Sequence, residues 1–299
     1  MDNKTKAGYI AIVGKPNAGK STLMNSILGT KLSIVTPKPQ TTRKQVLGIH
    51  SDDTTQIVFL DTPGILNPKY EMQRLMMDYV NSALEASDAI IFILDVKKYK
   101  NDLDEQSVAF LELAKQTGKP ILALLNKIDL YDDVKAVLPS IQKYSEMGYF
   151  QEIIPMSALK ATHISDLIAT LSKYIPENEF YFDPEELSTQ NERFFVSEII
   201  REQIFMSFAQ EIPYSTEIEI TQFREKQSKK WFISADVIVE RKSQKIILVG
   251  AGGERIKHIG EKARAAIEEH LQQSVYLELF VKVRDNWRNN KGMLKNLGY

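Results

Sequence analysis

The 299-residue chain has no cysteine. That excludes disulfides, thiolate metal sites and a cysteine nucleophile, and it permits a reducing compartment. Histidine is scarce, and His50, His163, His258 and His270 stand without ligand spacing, which argues against a metal cluster. No apolar run exceeds strand length, and the first residues, Met1 to Lys6, lead into no apolar h-region. A spanning helix and a secretory leader are therefore not expected, and a cytoplasmic protein is. Neither sign of charge dominates: the formal net charge is −1, so any affinity for nucleic acid has to come from a local patch. With 43% apolar and 26% charged residues the composition is that of a folded protein, long enough for two cores.

What is present begins with Gly14-Lys15-Pro16-Asn17-Ala18-Gly19-Lys20-Ser21, a gapless match to G-x-x-x-x-G-K-[ST]. Before it Tyr9 to Val13 reads as a buried strand, and after it Thr22 to Leu28 carries apolar residues at helical spacing. Strand, glycine loop and helix are the context this motif requires. The glycines let backbone N–H groups turn around a polyphosphate, the helix start adds partial positive charge, Lys20 reaches the β/γ-phosphates and Ser21 is a Mg²⁺ ligand.

Three further elements each follow a predicted strand. Ile57 to Leu60 ends in Asp61-Thr62-Pro63-Gly64, which sets an acid near Mg²⁺ and a glycine N–H near a γ-phosphate. Ile121 to Leu125 ends in Asn126-Lys127-Ile128-Asp129, where the Asp129 carboxylate can accept from N1–H and the 2-amino group of guanine. Adenine offers no such donor pair, so the element argues for GTP over ATP. Ile153 to Met156 leads into Ser157-Ala158-Leu159, a candidate backbone contact to the guanine oxygen. Ile65 occupies the position where many GTPases hold a water-orienting glutamine, and an apolar side chain cannot do that work. The segments 33–47 and 65–77 are the candidate switches, the first through Gln40-Thr41-Thr42-Arg43-Lys44. The methionines of the second read as helix core.

Strands alternate with amphipathic helices from Tyr9 to about Ile175, as in a mostly parallel sheet with helices on both faces. Two prolines and five acids then break the pattern between Pro176 and Glu186. The expected organisation is an α/β domain over 1–178, a linker over 179–190 and an α+β domain over 191–299. The last part reads as a helix from about 191 to 211, strands near 216–224 and 230–241, a short helix, the loop Gly250-Ala251-Gly252-Gly253, a helix to His270 and a strand from Val275 to Val283. Residues 224–264 hold eleven Lys/Arg against five Asp/Glu, the electrostatic footprint a single-stranded nucleic acid needs. Lys245, Arg255, Ile256, Lys257 and Lys262, with the glycine loop, are the candidate RNA contacts. The basic tail, with Lys282, Arg284, Arg288, Lys291 and Lys295 around Trp287 and Tyr299, offers either phosphate contact with base stacking or a solvated surface.

On these motifs the chain resembles the Era family of bacterial ribosome-assembly GTPases over nearly its whole length. The carboxyl-terminal part is similar to a type II KH domain, whose G-x-x-G loop clamps single-stranded RNA. The resemblance implies a P-loop GTPase domain followed by a KH domain. It also implies Mg²⁺ held by Ser21, Asp61 and Thr42, and a potassium ion recruited by Asn17. It implies a monomer that binds the 3′ end of small-subunit (16S) rRNA in its GTP form, helps mature the 30S subunit and releases the RNA on hydrolysis. The loop centre Ala251-Gly252 departs from the charged pattern. A second reading stays open: a membrane-associated or cell-cycle signalling GTPase whose basic carboxyl-terminal domain binds protein or acidic lipid, with peripheral contact at the cytoplasmic face of the cell membrane. An RNA-modifying enzyme is disfavoured, since no second catalytic constellation is present.

Overall fold

The computed structural model describes residues 5–97, 103–225 and 229–299, apart from the side chain of Val134. The start of the chain, read above for a leader, lies outside that description, as does part of the basic stretch 224–264. The chain divides into two compact units, one of residues up to 69 and 73–189 and one of residues 70–72 and 190–299.

The first unit is a six-stranded sheet in the order β2-β3-β1-β4-β5-β6. Its strands are β1 (Lys6–Gly14), β2 (Val46–Ser51), β3 (Thr55–Asp61), β4 (Ala89–Asp95), β5 (Ile121–Asn126) and β6 (Glu152–Pro155). Within it β2 runs antiparallel to its neighbour and the other pairs are parallel. The accompanying helices are α1 (Lys20–Leu28), α2 (Glu71–Ala86), α3 (Glu105–Gln116), α4 (Leu138–Glu146) and α5 (Ile164–Leu171). The central strands are apolar without alternation, and Ile10 to Val13, Ile57 to Leu60 and Ile90 to Leu94 are all buried, because a parallel sheet is covered on both faces. In α2, Met76 is fully buried and Met77 packs against the sheet core, so these methionines are helix core. Parallel register brings Gly14, Asp61, Asp95 and Asn126 to one edge of the sheet, where α/β sheets bind ligands.

The expected linker is not free chain. Thr5 and Lys6 meet Asn178 and Glu177, the Gln56 side-chain oxygen accepts from Tyr181 and Phe182 N–H, and its amide nitrogen donates to Phe182 O. Tyr181 stacks on Tyr9 at 5.1 Å, and Ile49 N–H donates to Leu187 O on the edge strand β2. Residues 176–188 therefore form a strap on the first unit. Prolines and acids break the periodicity there, but the sheet edge and Gln56 supply the hydrogen bonds that a loop would otherwise take from water.

The second unit contains α6 (Glu192–Ser207), α7 (Glu211–Ser215), β7 (Glu217–Arg224), β8 (Trp231–Val239), α8 (Lys242–Val249), α9 (Glu254–Leu271), β9 (Val275–Val283) and α10 (Lys291–Asn296). Its sheet has the order β7-β8-β9, with β7 antiparallel and β9 parallel to β8. Val196, Ile200 and Ile204 of α6, with Ile259, Ala263 and Ile267 of α9, share a core with Ile233, Ala235 and Val237 of β8. Four tail residues that the sequence offered as nucleic-acid contacts make internal bonds instead. Trp287 is fully buried with its ring N–H on Ser215 O at 3.1 Å, Tyr299 OH bonds Glu217, and Arg284 and Arg288 pair with Glu219 and Glu240. Among the described residues no helix is long and apolar enough to cross a membrane.

Candidate nucleotide site and nucleic-acid surface

Gly19 precedes α1 with φ 106° and no side-chain cap, so the first N–H groups of the helix stay available. A Cβ at Gly19 would lie 2.2 Å from the Asn126 amide nitrogen. Asn126 uses that approach: its Nδ2 donates to Ala18 O at 2.8 Å, and its Oδ1 accepts from Ala158 N–H at 2.8 Å. One buried amide thus joins the phosphate loop, the Asn126 to Asp129 element and the Ser157 to Leu159 element. Lys127 adds a second tie, its Nζ donating to Asn17 O and Asp95, both at 2.7 Å.

Lys20 is buried, and its Nζ donates to Gly14 O at 3.2 Å and Lys15 O at 3.0 Å. Burial lowers its pKa to about 8, opposed by the charge of Asp61. Burial likewise raises the Asp61 carboxyl to about 6, opposed by Lys20 and by hydroxyl hydrogen bonds. Ser21 Oγ lies 2.9 Å from Asp61 Oδ2 and 2.8 Å from Thr42 Oγ1. The three residues expected to hold Mg²⁺ therefore converge. Asp61 Oδ1 is buried with no hydrogen-bond partner among the described residues, an anionic oxygen whose burial is costly until a cation meets it. Two hydroxyls and a carboxylate form the hard oxygen set that suits Mg²⁺.

A cavity of about 400 Å³ opens over the loop, lined by Pro16, Asn17, Lys20, Ser21, Thr22 and Thr42 among others. Gln40, Thr41, Gly64 and Lys127 also reach it. Asn17 Nδ2 donates to Pro37 O at 2.8 Å, which leaves Oδ1 as the atom able to serve a monovalent cation. Thr62 Oγ1 donates to Ile12 O, and Ile65, buried, donates its N–H to Gly14 O. Pro63 and Ile128 are buried as well. Asp129 accepts a hydrogen bond from Ser157, so the carboxylate expected to read the base is held in place. The Leu159 side chain is exposed, leaving its backbone as the usable part. Other candidates lie outside the cavity lining: Arg43, which is buried, Lys44, Asp129 and Ser157 to Leu159, and Lys15, whose side chain runs to Asp104 at 2.8 Å and to Gln106 at the start of α3.

The structure adds residues that carry no signal in the sequence. Ser33 Oγ donates to Asp61 Oδ2 at 3.1 Å. Asn25 holds that serine in place, accepting from Leu32 and Ser33 N–H and donating to Ser33 O.

In the second unit, Gly250, Gly252 and Gly253 all have positive φ. A Cβ at Gly250 would stand 2.7 Å from Arg255 Cγ, and Arg255 donates to Ile247 O. The arginine thus buttresses the loop. Beside it a groove of about 320 Å³ is lined by Ile256, Lys257, Gly260, Glu261 and Arg264 of α9 and Leu277 and Leu279 of β9. Of the candidate RNA contacts, Ile256 and Lys257 reach this groove. Ala251, Lys245 and Lys262 are exposed outside its lining, and the leucines of β9 escape the sequence because they read as ordinary core positions.

Two family models match, one described as 50S ribosome-binding GTPase over residues 9–127 and one as KH domain over residues 211–288. The chain is 40% identical to GTPase Era of Clostridium botulinum over 296 residues, 98% of each chain. It is 38% identical to GTPase Era of Staphylococcus haemolyticus over 98% of this chain and 97% of that one. Among solved structures, a crystal structure of Era in complex with MgGDPNP and nucleotides 1506–1542 of 16S ribosomal RNA matches with TM-score 0.94, 37% identity and 99% coverage of both chains. The same values hold for a point variant of Aquifex aeolicus Era bound to GDP·AlF4⁻.

Proposed function

Because the chain belongs to the Era family of GTPases, and so binds and hydrolyses GTP, we propose that it is a switch that binds the 3′ end of small-subunit rRNA and assists assembly of the 30S subunit. The observation that carries this reading is the union of two sites in one chain: an oxygen triad under a phosphate loop, and a G-x-x-G loop beside a groove lined by both apolar and charged side chains. The family model that speaks of the 50S subunit covers only residues 9–127. The relative solved with 16S RNA aligns over both units, and it is the better guide to the RNA.

In this reading Ser21, Thr42 and Asp61 hold Mg²⁺, which when bound neutralises charge on the β- and γ-phosphates. Gly14 to Thr22 cradle the phosphates through backbone N–H groups, and Lys20 meets their oxygens. Asp129 accepts from guanine, while Ser157 fixes that carboxylate and Ala158 and Leu159 present backbone toward the base. Asp61 to Ile65 follow the γ-phosphate, and Thr42 links the segment Gln40 to Lys44 to the same triad. Loss of the γ-phosphate removes the reason for that link, so the segment is the sensor of nucleotide state. Ile65 cannot orient water, and the Asn17 oxygen would instead hold K⁺ beside the phosphates. Hydrolysis should then run several-fold faster in K⁺ than in Na⁺, and Asn17→Ala should erase the difference. Equal rates in the two salts would count against the cation site.

In the second unit the G-x-x-G loop approaches the sugar-phosphate backbone, Lys245, Arg255, Lys257 and Lys262 supply positive charge, and Ile256 with the groove accepts bases. The test is binding at fixed salt of a short strand copying the small-subunit rRNA 3′ end, beside a scrambled strand and vesicles of anionic lipid. Preference for the authentic strand supports the reading. Equal binding of both strands, or binding to the vesicles alone, would overturn it.

A further inference from the structure

The sheet of the second unit has a face turned away from the helices α6, α8 and α9 that form the core. Ile233, Ala235 and Val237 of β8 and Val275, Leu277, Leu279 and Val281 of β9 belong to the core. Strand alternation therefore sends Phe232, Ser234 and Asp236, with Tyr276, Glu278 and Phe280, to the opposite side. At one end of that side Glu217 and Ile238 are buried, and Tyr299 bonds Glu217, so the tail closes it. The β9 edge is open: Tyr276 is 56% and Phe280 47% exposed.

These aromatics are organised. Arg224, Phe232 and Tyr276 are register partners across the three strands. The Phe232 and Tyr276 rings stack at 5.9 Å with 15° between planes, and the Arg224 guanidinium lies 5.9 Å from the Phe232 ring. Further along, the Lys282 ammonium stands 5.7 Å from the Phe280 ring. Lys230 is exposed just before β8. Rings flanked by cations are what successive bases and phosphates require, and a sheet face bearing aromatics is a known way to stack unpaired bases.

Position makes the face reachable. β9 is an edge strand. Its Leu277 and Leu279 line the groove beside the glycine loop, while Tyr276 and Phe280 lie on the other side of the same strand. An RNA leaving the groove has only the width of one strand to cross. We propose that this far face is a second stacking platform for single-stranded RNA, with Tyr276 and Phe280 each taking a base, Arg224, Lys230 and Lys282 meeting phosphates, and Glu278 accepting from exocyclic base amines. The inference rests on the RNA-binding reading above. Glu278 and Asp236 interrupt the apolar surface, and carboxylates there disfavour an anionic membrane and the core of a protein interface. Base edges tolerate them, since a carboxylate accepts from cytosine N4.

The test compares the full chain with Tyr276→Ser/Phe280→Ser, using RNA of about four nucleotides, the length a G-x-x-G groove clamps, and of about ten. The platform predicts unchanged affinity for the short strand and about a tenfold loss for the long one, with Tyr276→Phe retaining full affinity. Gly253→Asp should weaken both lengths. Equal losses at both lengths, or no loss at either, would overturn the platform and leave the stacked rings as cross-strand stabilisers. If the pair proves necessary for folding, Phe280→Ser alone carries the test. A wild-type chain that binds neither length fails the underlying RNA reading, and Gly253→Asp is then silent as well.

Discussion

At the scale of single residues, the site is built from groups that its own fold holds at a cost. Lys20 and Asp61 are both buried, with pKa values displaced to about 8 and about 6. The raised Asp61 value means that its contribution to stability is present below the ordinary carboxylate range and is lost as pH rises through about 6. The lowered Lys20 value means that its contribution is present above the ordinary lysine range and is lost as pH falls through about 8. Between those values both charges are carried, and Mg²⁺ and phosphate are the partners that relieve them. The increase in Tm on adding Mg²⁺ and GDP should therefore peak between about pH 6 and 8. Outside that window it should weaken by up to about 1.4 kcal/mol of binding free energy per pH unit. A pH-independent increase would contradict the assignment. The residues of this site are legible because phosphate and guanine impose residue types at fixed spacing. Ser33, Asn25 and the Lys15–Asp104 tie are not, since a serine, an asparagine and an ion pair carry no such signature.

At the scale of elements, strands and helices are legible wherever burial imposes a period, and the differences fall on segments whose partners are distant in sequence. The strap at 176–188 reads as linker until Gln56, more than a hundred residues earlier, is seen to hold Tyr181 and Phe182. Gln56→Leu strands two N–H groups and a carbonyl and should cost about 2–3 kcal/mol in unfolding free energy. Amide hydrogen exchange should then show the strap losing protection before the sheet. The basic tail is opaque for the same reason, because its aromatics serve Ser215 and Glu217. The glycine loop is plainer, since its conformation is local. Gly253 has φ 84° and open space around its Cα, so Gly253→Asp adds backbone strain of about 1 kcal/mol and a charge facing RNA phosphates. RNA affinity should fall at least tenfold while melting changes by only a few degrees, as filter binding and a thermal melt would show. A fall in stability large enough to account for lost binding would remove the loop from the interface.

At the scale of the whole molecule, the central claim is that one chain couples nucleotide state to RNA. The GTPase and KH assignments are each legible from local motifs. Their coupling is not, because it depends on which arrangement each nucleotide favours. The direct measurement is the affinity of the full chain for a single strand copying the small-subunit rRNA 3′ end, in Mg²⁺ and K⁺ at fixed salt, with a non-hydrolysable GTP analogue and with GDP. The account predicts tight, sequence-selective binding with the analogue and at least tenfold weaker binding with GDP. Thr42→Ala, which removes the hydroxyl proposed to sense the nucleotide, should shrink that difference, and Asp61→Ala should abolish it. Equal affinity in both nucleotide states would contradict the account, and would reduce the chain to a GTPase and an RNA-binding domain that share only a polypeptide.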